Sequence, residues 1–186
     1  MGRRLFSRLF LKSSLVHINM SELDEQMESD HELKEILTTP AEDLPYRYSY
    51  LLGEVFAGWK ALTLYDLIKQ SFDKLGNDNV YFSKAGDKLV GWAAYEVDAT
   101  RRFRPYTFVS EIKTFSFDVK RPNPVLFRDL KELLDKLIDE YEEVTWVAVK
   151  ENPANDIYEK VIKVYNGTRN DINDKLFEYS IISKEE

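Results

Sequence analysis

The side chains able to do chemistry in this sequence are defined first by what is missing. There is no cysteine, which removes a thiol nucleophile, a zinc–thiolate centre and any disulfide, and fits a reducing compartment. The two histidines, His17 and His31, both lie near the start, so a Ser-His-Asp triad or a histidine-rich metal site has almost no raw material. No metal site is expected. Catalysis must rely on carboxylates, tyrosines, lysines and backbone groups, which is the equipment of general acid–base chemistry rather than redox chemistry.

Charge narrows the partners. The net charge of −7 divides into +4 on residues 1–19, from Arg3, Arg4, Arg8 and Lys12 with no acid, and so about −11 on the remainder. An acidic body repels phosphate backbones, and nucleic acid is not an expected partner. The densest basic cluster elsewhere, Arg101, Arg102 and Arg104, is short and reads as an exposed loop. No apolar run approaches the roughly 20 residues of a membrane span. A soluble, cytoplasmic protein is expected. Its 186 residues, 44% hydrophobic and 13% aromatic, suffice for one core and are too few for two ordinary domains.

The elements that must position any site follow from periodicity. Residues 1–12 have Leu5, Phe6, Leu9 and Phe10 at helical spacing beside arginines. They read as a basic amphipathic arm, resembling a transit or surface-binding segment, or as a non-native extension; with Met20 as the natural start, residues 1–19 would be an upstream extension of the reading frame. The alternation through residues 15–19 reads as a first strand, with 1–12 then an arm, and this reading is preferred because it supplies an element that the fold wants. One domain is expected over residues 13–186. Residues 22–38 are helical, with Ser21 and Ser29-Asp30 as caps and Thr39-Pro40 as the break. Residues 51–75 form one or two helices that bury Leu62, Leu64, Leu67, Ile68 and Phe72 and end at Gly76.

The period then changes. Residues 80–83 and 89–97 read as a hairpin turned at residues 85–88, and residues 107–118 as a third strand of the meander. Asn123 and Pro124 serve as cap and first residue of the strongest helix, whose stripe is Leu126, Leu130, Leu133, Leu134, Leu137 and Ile138. Residues 143–149 form a strand buried on both faces and central in the sheet. A helix over 154–165, ended by Asn166-Gly167, a polar loop and a strand over 176–182 complete the chain.

This order, with three local matches, resembles the GNAT N-acetyltransferase superfamily. Residues 80–182 carry the likeness well, residues 15–79 by element order alone. The matches are Ser110-Glu111-Ile112-Lys113-Thr114-Phe115-Ser116-Phe117, Val147-Ala148-Val149 with Asn152, and Asp156-Ile157-Tyr158-Glu159-Lys160. The resemblance implies a mixed α/β fold, a central, mostly antiparallel sheet flanked by helices, that moves an acetyl group from acetyl-CoA to a primary amine. It implies Glu111 as general base, Tyr158 as proton donor to the departing thiolate, and a strand amide near Phe117 facing the acyl oxygen. Cofactor contacts fall on Phe117, Asp118, Val119, Lys120, Arg121, Asn123 and Asn152, and Tyr46, Tyr48, Tyr50, Phe56 and Trp59 would line the acceptor side.

The sequence also departs from the pattern. The family loop uses glycines whose amides approach the diphosphate, whereas residues 118–127 contain no glycine, two prolines and Asp118. Lys120 and Arg121 compensate only as point charges. Ile162 replaces a glycine usual after the tyrosine motif, and Asn152 stands about one residue too close to Tyr158. The alternative expectation is therefore a catalytically inactive protein of the same fold that has lost CoA binding and acts as an interaction or structural protein, with a protein partner or as a homo-oligomer. A third is a small-molecule binding module that keeps the cleft for another ligand.

Overall fold

The computed structural model describes residues 14–45, 48, 61–99 and 105–183. The arm over 1–12, the aromatics Tyr46, Tyr50, Phe56 and Trp59, and Arg101, Arg102 and Arg104 lie outside them.

The strand expected near residue 15 is real but short. β1 (Leu15–Val16) pairs antiparallel with β2 (Val80–Ala85), Leu15 opposite Ser83. It is anchored from the far side by Glu132, whose carboxylate accepts from the Ser14 hydroxyl and, at 3.2 Å, from the Leu15 amide. α1 (Met20–Ser29) begins two residues earlier than Ser21 as cap would place it. Asn19 is the cap, in a reciprocal capping box with Glu22. Asp30 caps α2 (His31–Thr38) as expected. Thr63 caps α3 (Leu64–Leu75), which ends on Gly76 at φ 87°. Leu62 therefore precedes the helix and is 78% exposed, not part of the buried face.

β2 and β3 (Lys88–Asp98) form the hairpin, turned on Gly86 at φ 64°, and β4 (Phe108–Ser116) completes the meander. α4 (Pro122–Glu140) starts at Pro122, with Arg121 in the cap position and no side-chain cap, rather than at Asn123-Pro124. β5 (Glu143–Val149), α5 (Asn155–Val164) and β7 (Leu176–Ile182) fall where periodicity puts them. The polar loop expected between α5 and β7 contains a further strand, β6 (Thr168–Asp171), exposed along its whole length. Among the described residues the sheet order is β1-β2-β3-β4-β5-β7-β6, with β4 and β5 the parallel neighbours.

Each sheet face has its own core. α4 and α5 cover one, burying Leu126, Leu130, Leu133 and Leu134 against Ala93, Ile112, Val144 and Trp146. α1, α2 and α3 cover the other around Phe82, Trp92 and Phe115, where the Trp92 and Phe115 rings stack at 4.9 Å. No helix among the described residues is long and apolar enough to cross a membrane.

One carboxylate lies inside this packing. Asp129 of α4 accepts from Ser83 Oγ at 2.8 Å and from Arg128 at 3.2 Å, all on Oδ1, and its side chain is 1% exposed. Oδ2 has no hydrogen-bond partner among the described residues. A Cβ on Gly91 would stand 2.6 Å from that oxygen, which accounts for glycine inside a strand here. Burial raises the Asp129 carboxyl from 3.8 to about 6, against the opposing pull of Arg128 and Ser83.

Between pH 4 and 6 the folded chain thus holds a proton that the unfolded chain has released. The stability this confers is fully present below the unfolded value and is lost as pH rises through 6, an interval worth about 3 kcal/mol. Asp129→Asn is neutral throughout. Subtracting its unfolding free energy from that of the wild type cancels the other carboxylates. In urea titrations that difference should move toward the wild type by up to about 3 kcal/mol from pH 8 to pH 4; a flat difference would mean that Asp129 does not titrate in this range.

Candidate functional site

β4 pairs along its length with β3, and β5 along its length with β7, but β4 and β5 register with each other at one place, Val109 opposite Val144. Beyond it no further ladder pair joins them. At the vertex the pairing of Glu96 with Glu111 and Val97 with Val109 leaves Ser110 as an extra residue, a bulge that bends β4 away. The wedge past this pair sets two strand edges face to face without a backbone ladder, and their amides and carbonyls need partners.

Glu111 stands in the vertex. Its Oε1 accepts from the Ile112 amide at 3.1 Å and, across the gap, from the Val147 amide at 3.3 Å. The carboxylate thus takes the place of a ladder carbonyl one step beyond the last backbone pair. Because successive amides of a strand face opposite edges, Thr114 and Ser116 share the wedge side with Ile112. Phe117 does not. Its amide donates to the Val90 carbonyl at 2.8 Å, toward β3.

Both strands deliver their carboxyl ends, and the helices that follow, to the mouth of the wedge. On the β4 side, the Asp118 amide donates to Ser116 Oγ at 3.0 Å, and Asp118 Oδ1 accepts from the amides of Lys120 at 3.2 Å and Arg121 at 3.1 Å. Val119 is 44% exposed. Asn123 lies in the first turn of α4 between Pro122 and Pro124, which supply no amide hydrogen. Tyr48, the described member of the aromatic group, is buried and donates from its hydroxyl to the Asp118 carbonyl at 3.3 Å.

On the β5 side, Asn152 is buried and accepts from the Ala154 amide at 2.8 Å, while its own amide donates to the Val149 carbonyl at 2.9 Å. Asn155 adds donations to the carbonyls of Val149 and Lys150 at 3.1 and 3.0 Å and receives the Tyr179 hydroxyl at 2.8 Å. Burial pushes the Tyr179 phenol up from its ordinary range. Tyr158 is 5% exposed, its ring edge-on to Trp146 at 5.7 Å and to Tyr179 at 5.2 Å.

The structure therefore places Phe117, Asp118, Val119, Lys120, Arg121 and Asn123 where β4 leads into α4 and Asn152 where β5 leads into α5, puts Glu111 at the vertex and sets Tyr158 in the aromatic packing beneath β5. The sequence reading missed Asn155 and Tyr179. Two asparagines three apart around Pro153, at a strand-to-helix junction, are the signal that was there to be used.

The likeness of this arrangement to solved structures is extensive. A protein of Pyrococcus horikoshii OT3 is 19% identical at a TM-score of 0.56, over 92% of this chain and 98% of its own. A GNAT-family acetyltransferase of Bacillus anthracis is 14% identical at 0.55, over 92% and 95%. A ribosomal-protein-alanine N-acetyltransferase of Brucella melitensis is 12% identical at 0.55, over 90% and 98%. No protein-family model and no curated protein sequence matches the chain. At such identities the likeness is one of fold, and the chain has the GNAT acetyltransferase fold.

The bridging of the wedge by Glu111 carries a measurable consequence. Glu111→Ala leaves the Val147 amide without its acceptor and should cost about 1–3 kcal/mol in chemical denaturation, while Glu111→Gln, which keeps an oxygen in place, should cost less than half as much. Equal losses would show that the bridge contributes nothing.

Proposed function

We propose that this protein is an N-acetyltransferase that moves an acetyl group from acetyl-CoA to a primary amine. Residues 13–186 act as one domain in the cytoplasm. The observation that supports the reading is the wedge: parallel β4 and β5 part after Val109 and Val144 and send two helix N-termini to the mouth. Open strand edges take an extended, amide-bearing chain by adding to the ladder. The pantetheine arm of a CoA thioester is such a chain. The carboxyl ends of parallel strands where a sheet divides are also where an open α/β sheet has room for a ligand.

In this reading the amine, once deprotonated, attacks the thioester carbonyl carbon, and its pair forms the C–N bond. The carbonyl oxygen takes up the negative charge beside wedge-facing amides, for which Thr114 and Ser116 have the correct direction now that Phe117 is engaged with Val90. Collapse reforms the carbonyl and breaks the C–S bond. The thiolate leaves with a proton from Tyr158, and Glu111 accepts the amine's proton, directly or through water.

Acetyl-CoA at about 100 times its dissociation constant should stabilise the protein by roughly 2.7 kcal/mol in thermal unfolding, and no shift at millimolar concentration would leave the fold without the activity. With an amine that turns over, Tyr158→Phe should lower kcat by about tenfold or more and leave the affinity for acetyl-CoA nearly unchanged; Glu111→Gln should lower it by about 100-fold or more. Unchanged rates would remove each residue from the mechanism.

A further inference from the structure

A helix N-terminus beside the open end of a wedge is a ready seat for an anion, because its first amides have no partner within the helix. In this chain the loop leading into α4 is largely satisfied from within, although the helix itself has no side-chain cap. Asp118 Oδ1 holds the amides of Lys120 and Arg121 at 3.2 and 3.1 Å, Ser116 Oγ holds that of Asp118 at 3.0 Å, and the Val90 carbonyl holds that of Phe117 at 2.8 Å. Pro122 and Pro124 contribute none. The loop is fixed in this state by buried Tyr48, which bonds the Asp118 carbonyl. It borders a cleft of about 670 Å³ whose charged lining includes Asp30, Glu32, Glu35 and Asp43 against Lys88 and Lys120. A second anion arriving here finds the Lys120 and Arg121 amides taken, a fixed carboxylate beside the remaining first-turn amides, and a negative surround.

We propose that Asp118 is the specificity-determining residue of the donor site: it excludes a diphosphate from the α4 loop, so the thioester donor is held by its pantetheine arm alone. This rests on the acyltransferase reading. The wedge takes the amide-bearing arm, and the nucleotide half of acetyl-CoA adds nothing to its retention. The natural donor class is then any acyl-pantetheine thioester, whatever its far end carries, provided that end does not require the loop.

Calorimetry with acetyl-CoA and with S-acetylpantetheine, which lacks the phosphates and the nucleotide, tests this on the full chain. The wild type should bind the two within about threefold of each other, and Asp118→Gly, which releases the amides and removes the charge, should favour acetyl-CoA by about tenfold or more. Asp118→Asn keeps an acceptor for both amides, guards against a loop that fails to fold, and should shift the ratio the same way by about threefold. A wild type that already prefers acetyl-CoA by about tenfold, or variants that leave the ratio unmoved, would overturn the role of Asp118 while leaving the acyltransferase reading intact. Binding of neither compound by any of the three proteins would end both.

Discussion

Everything in the candidate site depends on the separation of β4 from β5. Two strands that start side by side and run parallel would ordinarily zip, since each unpaired amide and carbonyl left without a partner costs free energy. Here each strand is committed on its other edge, β4 to β3 and β5 to β7 over all seven of its residues. The two half-sheets are then free to twist apart, with the Ser110 bulge as the hinge. α4 spans the division, packing against β3, β4 and β5, and prevents the halves from separating altogether. At the vertex the carboxylate of Glu111 takes the Val147 amide where the backbone ladder between β4 and β5 stops.

Three acids show how differently one chemical group is used in a single fold. Asp129 is buried with one oxygen unpartnered among the described residues, and burial raises its carboxyl to about 6. Asp118 sits at an exposed turn and is satisfied by two backbone amides, the arrangement of a helix cap displaced a few residues outward. Glu111 spans a strand gap. Their roles follow from what each oxygen touches, which neither residue type nor net charge determines.

The sequence carried the fold better than the site. The leucine stripe of α4, the buried run of β5 and the hairpin at Gly86 are local periodicities, and local periodicity survives folding unchanged. β6 left no trace because all four of its residues, Thr168 to Asp171, are polar and exposed; it is a strand only through its pairing with β7. Pro122 against Asn123, and Asn19 against Ser21, are errors of a few residues at helix starts, where several capping candidates compete. At the site, the negative charge of Asp118 and the two prolines could be read directly. That the carboxylate turns inward could not, because the partners it satisfies are backbone amides that carry no sequence signature. The contact of Glu111 with Val147, 36 residues away, is likewise a product of the wedge and not of any motif.

The wedge and the loop are therefore separable devices. In the proposed reading the wedge acts through main-chain edge groups, which impose shape and hydrogen-bond order on an extended chain but are indifferent to what lies past its end. In that same reading the loop acts by charge, through Asp118 and the amides it holds. Sequence change acts on the two very unequally. Altering the wedge means moving a core that Trp146, Tyr179 and Tyr158 share with α5, whereas the loop is rewritten by one aspartate and two prolines at the surface. A chain can keep the first device intact, and with it a likeness of fold over nine-tenths of its length, while the second is altered.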